Sequence, residues 1–204
     1  MDQAAIKHAQ ERLRRVRNAI AAMEQAKIIG NMDVAWWTFV LAANSIYTKL
    51  ELGAKGSGPA GGWLGKKLRE RRKDELLSYI HQARNFDEHN LQGAIQYVHQ
   101  PRVSFVDGEG YTIIRQAKGS GQELRITRKD PHAKIQLRVK LPGAHLKPVK
   151  DRFGHVYNPP ETHLGKPLTD KRPIAVAKLA LSYLEQLVSE ASDYVTAHPK
   201  HAGQ

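Results

Sequence analysis

Ala83-Arg84-Asn85-Phe86-Asp87-Glu88-His89 is the stretch on which the reading of this chain turns. Ahead of it Leu64, Leu68, Leu76, Leu77 and Ile80 recur at helical spacing, and Leu91, Ala94, Ile95 and Val98 continue the stripe behind it. The spacing predicts one helix from Trp63 or Leu64 to Val98, stopped by Pro101. Between Ile80 and Leu91 the stripe is broken by Arg84 and by Asp87 or Glu88. An arginine, an amide and a histidine therefore stand where an apolar face should run. Arginine and histidine together can act on a phosphodiester without a metal, because a guanidinium matches phosphate oxygens and an imidazole moves protons near neutral pH.

Working outward, residues 3–28 read as a first helix, with Ala5, Ile6, Leu13, Val16, Ala19, Ile20, Met23 and Ile28 on one face and arginines opposite. A second helix over about 33–52 is apolar nearly all round (Trp36, Trp37, Phe39, Val40, Leu41, Ile46, Tyr47, Leu50), which predicts a central place in a bundle. Residues 53–62 read as a flexible Gly-rich loop. They do not fit a phosphate-binding loop: counting back from Gly65-Lys66, position 60 is alanine, and Lys67 stands where Ser or Thr would hold magnesium.

Past Pro101 the period changes. Residues 102–106, 111–115, 123–128 and 134–140 read as four short strands joined by Gly- and Asp-rich turns, a small antiparallel β-meander over 102–140. Residues 141–172, with five prolines, read as an irregular cover segment. Pro173 opens a returning helix to about Ala197, rich in Leu, Ile, Val and Ala. The expectation is a mainly α single domain over 1–204: a four-helix bundle with the meander inserted between helices 3 and 4.

The chain has 204 residues, 41% of them hydrophobic, enough for a core. It has no cysteine, so disulfides and thiolate metal sites are excluded. The N-terminal segment lacks an apolar signal core, and the longest apolar run, Val34 to Ala43, is too short to span a bilayer. A soluble, cytoplasmic protein with no membrane partner is expected. The formal net charge of +12 favours a polyanionic partner. Lys66, Lys67, Arg69, Arg71, Arg72 and Lys73 form a dense run that reads either as a phosphate-contacting surface or as a solvated helix face. Residues 102–152 carry twelve Lys and Arg against five Asp and Glu, and Arg125, Arg128, Arg138 and Lys140 are candidates to line one sheet face. Ten histidines show no tight ligand spacing, so neither metal nor cofactor is expected.

The Arg84–His89 segment, with its lead-in Asp74-Glu75-Leu76-Leu77-Ser78-Tyr79-Ile80-His81-Gln82-Ala83, resembles the HEPN family of α-helical domains. Arg84-Asn85-Phe86-Asp87-Glu88-His89 matches that family's Arg-polar-x-x-x-His signature. The resemblance spans residues 1–100 and, less closely, 173–197; the β-region lies outside it. It implies an α-helical bundle, often a homodimer, with metal-independent cleavage of RNA, toxin or defence roles, and room for an antitoxin-like partner protein. It also implies roles: His89 as acid/base, Arg84 on the scissile phosphate, Asn85 orienting the pair. In such chemistry the 2′-hydroxyl is the nucleophile and the product ends in a 2′,3′-cyclic phosphate, so DNA is not cut.

Helix geometry constrains that reading. Five residues at about 100° each put Arg84 and His89 roughly 140° apart. Either the helix breaks near 86–90, or two chains meet about a two-fold axis and share one cleft; the dimer is the preferred solution. Two alternatives to catalysis stand beside it. Arg84 can pair with Asp87 or Glu88 while His89 caps a carbonyl, since polar groups between helices also fix register. A non-catalytic module that binds nucleic acid or protein through its basic surface fits the same residues.

Overall fold

Asp74 divides what the stripe predicts as one long helix. In the computed structural model α3 runs Gly58–Lys73 and α4 runs Glu75–His89, with Asp74 extended between them at φ −81°, ψ 128°. The Asp74 carboxylate accepts from the Leu77 amide at 2.8 Å, capping an amide that the first turn of α4 leaves unpaired. The structure describes residues 1–89, 93–98, 102–105, 111–118, 121–128, 137–140, 143–151 and 153–197, with side chains at 86–89, 102–140 and 196–197 excepted.

The other helices are α1 (Gln3–Gln25), α2 (Ile29–Ala54) and α5 (Pro173–Ala197). Among the described residues there are five helices where four were expected, and the protein is mainly helical with small antiparallel strand pairs. In α1 the predicted apolar face from Ala5 to Met23 is buried, but the helix stops at Gln25 and leaves Ile28 63% exposed. As its all-round apolarity predicts, α2 packs against each of the other four helices. The Gly-rich loop is shorter than expected. Helix α2 continues through Gly53, where a Cβ would meet the Ala5 Cβ at 2.3 Å, so a glycine lets α1 and α2 close on each other. Pro59 lies in the first turn of α3, where its missing N–H costs nothing.

The chain divides into two compact units: Met1–Tyr97 with Ala144–Gln204, and Val98–Gly143. The first has a continuous core built from α1, α2, α4 and α5, with Phe39, Ile46, Leu50, Leu76, Tyr79, Val176 and Leu184 fully buried. Residues 95–98 are not the end of a helix but strand β1 (Ile95–Val98), which pairs with β6 (Gly143–Leu146). The pairing with β6 decides this, because β1 is buried at both ends and more open between, a spacing that by itself suits a helix as well.

In the second unit β2 (Arg102–Phe105) pairs antiparallel with β5 (Leu137–Lys140), and β3 (Tyr111–Lys118) with β4 (Gly121–Arg128). The pairs are nested in sequence, so the predicted meander is corrected to the hairpin β3–β4 enclosed by the longer-range pair β2–β5. The register explains the choice, because it opposes Val103 to Val139 and Phe105 to Leu137 at positions of one face. Arg138 and Lys140 share a face, but Arg125 and Arg128 are three apart on one strand and fall on opposite faces, so the four do not line one. The turns and the remainder of the predicted strands lie outside the described residues.

The cover segment is more ordered than its prolines suggest. Beyond β6 it holds β7 (Val149–Lys150) paired with β8 (Val156–Tyr157), and β9 (Thr162–His163) paired with β10 (Lys166–Pro167). It is fastened to α4 by its polar groups. Tyr79 Oη donates to the Lys147 carbonyl at 2.6 Å, and Glu75 accepts from the amides of Glu161 and Thr162 at 2.9 and 3.0 Å.

Candidate functional site

Helix α4 runs without a break through His89; of the stretch 86–90 where a break was the alternative, residue 90 lies outside the described residues. Arg84 is half-buried and donates from Nη1 toward Asn85 Oδ1 at 3.5 Å, a long contact; Asn85 Nδ2 donates to Gln82 Oε1 at 3.3 Å. The two predicted residues are thus brought together on one turn of α4. The His89 side chain, and with it the expected pairing of Arg84 with Asp87 or Glu88, lies outside the described residues.

One turn earlier, α4 presents a histidine the sequence reading did not single out. His81 is three residues from Arg84 and four from Asn85, so these side chains share a face. His81 Nδ1 is 2.7 Å from Asn44 Oδ1 on α2, while Asn44 Nδ2 donates to the carbonyls of Val40 and Ile80 at 2.9 and 3.2 Å. Burial, with Arg71 and Arg84 nearby, pushes the His81 pKa down to about 4. Its ring is therefore neutral at physiological pH. The signal for it lay in the sequence as His81 four residues before Asn85, but only the α2–α4 packing supplies Asn44.

Arg71 closes this cluster from α3. Its guanidinium carbon sits 4.3 Å from the centre of the Tyr47 ring, a cation–π contact. Burial lowers the Arg71 pKa, against the opposing pull of Tyr47 and Glu51, and burial raises that of Tyr47 far above the ordinary phenol range. A half-open cavity of about 10 Å³ lies between these groups, lined by Asn44, Tyr47, Arg71 and His81 with Ala43, Leu77, Ile80, Ala180 and Leu184.

The predicted basic run is split by helix phase. Lys67 and Arg71, four apart, turn inward, Lys67 to an ion pair with Glu190 at 2.7 Å. Lys66, Arg69, Arg72 and Lys73 remain exposed. Lys66 and Arg69 border an open groove of about 610 Å³ with Trp63 and Tyr194, whose rings stack at 6.1 Å. No more than four of the six run residues are therefore presented to a partner.

Asp74 and His163 form a second polar cluster. His163 Nδ1 is 3.0 Å and the Leu164 amide 2.6 Å from the carboxylate. Burial alone would raise the Asp74 pKa, but His163 and the amides of Leu164 and Leu77 outweigh it and hold the group below its usual value. These contacts join α4 to the cover segment and are occupied in doing so. Among the described residues no group of three His, Asp or Glu is arranged to hold a metal, and no helix is long and apolar enough to cross a membrane. No family model, no curated protein and no solved structure matches the chain.

Proposed function

We propose that this protein is a HEPN-type, metal-independent endoribonuclease acting as a homodimer. Arg84 holds the scissile phosphate, His89 transfers the proton and Asn85 orients them. The observation that carries the reading is the unbroken run of α4 from Glu75 to His89. A continuous helix keeps Arg84 and His89 roughly 140° apart, so they converge on one phosphate only when a second chain supplies one of them. The 2′-hydroxyl of RNA serves as nucleophile. The imidazole is worth about 10²–10⁴ in rate as acid/base, and the guanidinium stabilises charge growing on the phosphate oxygens. The exposed Lys66, Arg69, Arg72 and Lys73 supply sequence-independent phosphate contacts. Cleavage of RNA in excess EDTA, lost in Arg84→Ala and His89→Ala, tests this reading.

A second reading rests on the local Arg84–Asn85–Gln82 bonds. In it these residues fix helix register in a non-catalytic module that binds nucleic acid or protein. It predicts salt-sensitive binding that survives both substitutions.

A further inference from the structure

The cavity beside His81 holds more hydrogen-bond donors than it satisfies. Tyr47 is 4% and Tyr183 6% exposed; neither hydroxyl makes a close hydrogen bond among the described residues, although the two hydroxyls interact with each other and that of Tyr183 with Glu70. The Nε of Arg71 is likewise buried without a partner. A buried donor left unmade costs about 1–3 kcal/mol, so the two that line the recess, Tyr47 Oη and Arg71 Nε, call for an acceptor. Two carboxylates, Glu51 and Glu70, lie near enough to influence the cluster, yet Arg71 forms no ion pair among the described residues. What its guanidinium touches is the face of the Tyr47 ring.

The acceptor can be deduced from the surroundings. Asn44 is spent: its nitrogen serves two carbonyls and its oxygen faces His81. What remains around the cavity is the Arg71 guanidinium and the Tyr47 hydroxyl, donors that suit a negatively charged oxygen, beside the neutral His81 ring, whose Nε2 carries the lone pair. The cavity volume of about 10 Å³ matches about one water-sized atom, and its open side leaves the rest of a larger group outside.

We infer that the recess between α2, α3, α4 and α5 bounded by Tyr47, Arg71 and His81 is an anion site that seats one oxygen of a phosphate group. This assignment does not depend on RNA cleavage and uses neither Arg84 nor His89. The phosphate can come from free inorganic phosphate or from a nucleic-acid backbone, and both offer the same oxygen.

The test is thermal melting of the full-length protein with increasing sodium phosphate, at ionic strength held constant with sodium chloride. Wild type should gain melting temperature with phosphate. Arg71→Gln should weaken the apparent affinity about tenfold or more, and Tyr47→Phe, which keeps the ring under the guanidinium, about threefold to tenfold. Arg69→Gln, an exposed charge on the same helix, should leave it unchanged. If Arg71→Gln does not fold, Tyr47→Phe together with the imidazole ¹⁵N shift of His81 on phosphate addition carries the test. A 2′-O-methyl RNA oligonucleotide, which cannot be cleaved, separates the sources. Displacement of phosphate by the oligonucleotide supports the assignment with a backbone phosphate as occupant, and binding of phosphate without displacement supports it with the free ion. No phosphate effect in wild type, or the same effect in wild type, Arg71→Gln and Tyr47→Phe, overturns the site and assigns the recess to water. Because no step reads cleavage, loss of the nuclease reading would leave this result standing.

Discussion

Asn44 fixes the tautomer of His81. Its side-chain nitrogen is committed to the Val40 and Ile80 carbonyls, so the oxygen 2.7 Å from His81 Nδ1 accepts, and the imidazole proton must sit on Nδ1. Asn44→Leu would leave that N–H half-buried without a partner, while the Ile80 carbonyl keeps the helical bond it makes within α4. A loss of about 1–3 kcal/mol is expected in urea unfolding. The double substitution Asn44→Leu with His81→Leu removes both partners, and should cost less than the two single changes added together.

The depressed pKa of His81 gives a pH dependence with a definite sign. The unfolded chain binds a proton near pH 6.5 and the folded one near pH 4. Between these values the unfolded state carries more protons, so this group's contribution is intact above pH 6.5 and is lost as pH falls toward 4. Melting temperature should therefore drop across that window, and drop less in His81→Leu. An unchanged slope in the variant would show that other groups govern acid sensitivity.

Asp74 acts in the same direction at lower pH. Its carboxyl is held below its ordinary value, so its contribution is present above that value and lost as pH falls through the folded one. Asp74→Ala removes the cap on Leu77 together with the anchors for His163 and Leu164. The cap alone is worth about 0.5–2 kcal/mol. Hydrogen exchange should quicken in the first turn of α4 and in residues 162–168 together; exchange confined to α4 would separate the two roles.

Two glycines of α2 should answer oppositely to alanine. At Gly53 the new Cβ meets Ala5 at 2.3 Å, and a loss of about 1–3 kcal/mol is expected. At Gly30 nothing lies within 4 Å, and alanine should stabilise by about 0.5 kcal/mol by restricting the unfolded chain. Denaturant midpoints of the two variants check both signs.

Much of the helical body was legible because its signal is local. The apolar periodicity of Ala5 to Met23 and of Trp36 to Leu50 marks buried faces directly. Boundaries set by tertiary contact were not. Asp74 reads as one polar residue within a long stripe until His163 and Leu164 arrive from ninety residues away to hold it. Ile95 to Val98 carries spacing that suits a helix, and pairing with β6 decides for a strand. The nested strand pairs also escaped, since strand order depends on which residues oppose one another and not on any single strand. At the site, Arg84 and Asn85 were visible as a motif, whereas the ring of Asn44, Tyr47, Arg71 and His81 draws on three helices and carries no motif at all.

Mixing two inactive variants tests the shared-cleft claim most directly. Arg84→Ala and His89→Ala, each alone, should fail to cleave RNA in EDTA. Unfolded together and refolded as mixed dimers, they leave one arginine from one chain facing one histidine from the other. The two-chain site predicts that cleavage reappears in the mixture, at up to about half the wild-type rate per mixed dimer, with 2′,3′-cyclic phosphate ends. A mixture as inactive as its components, from chains shown to exchange, would contradict it.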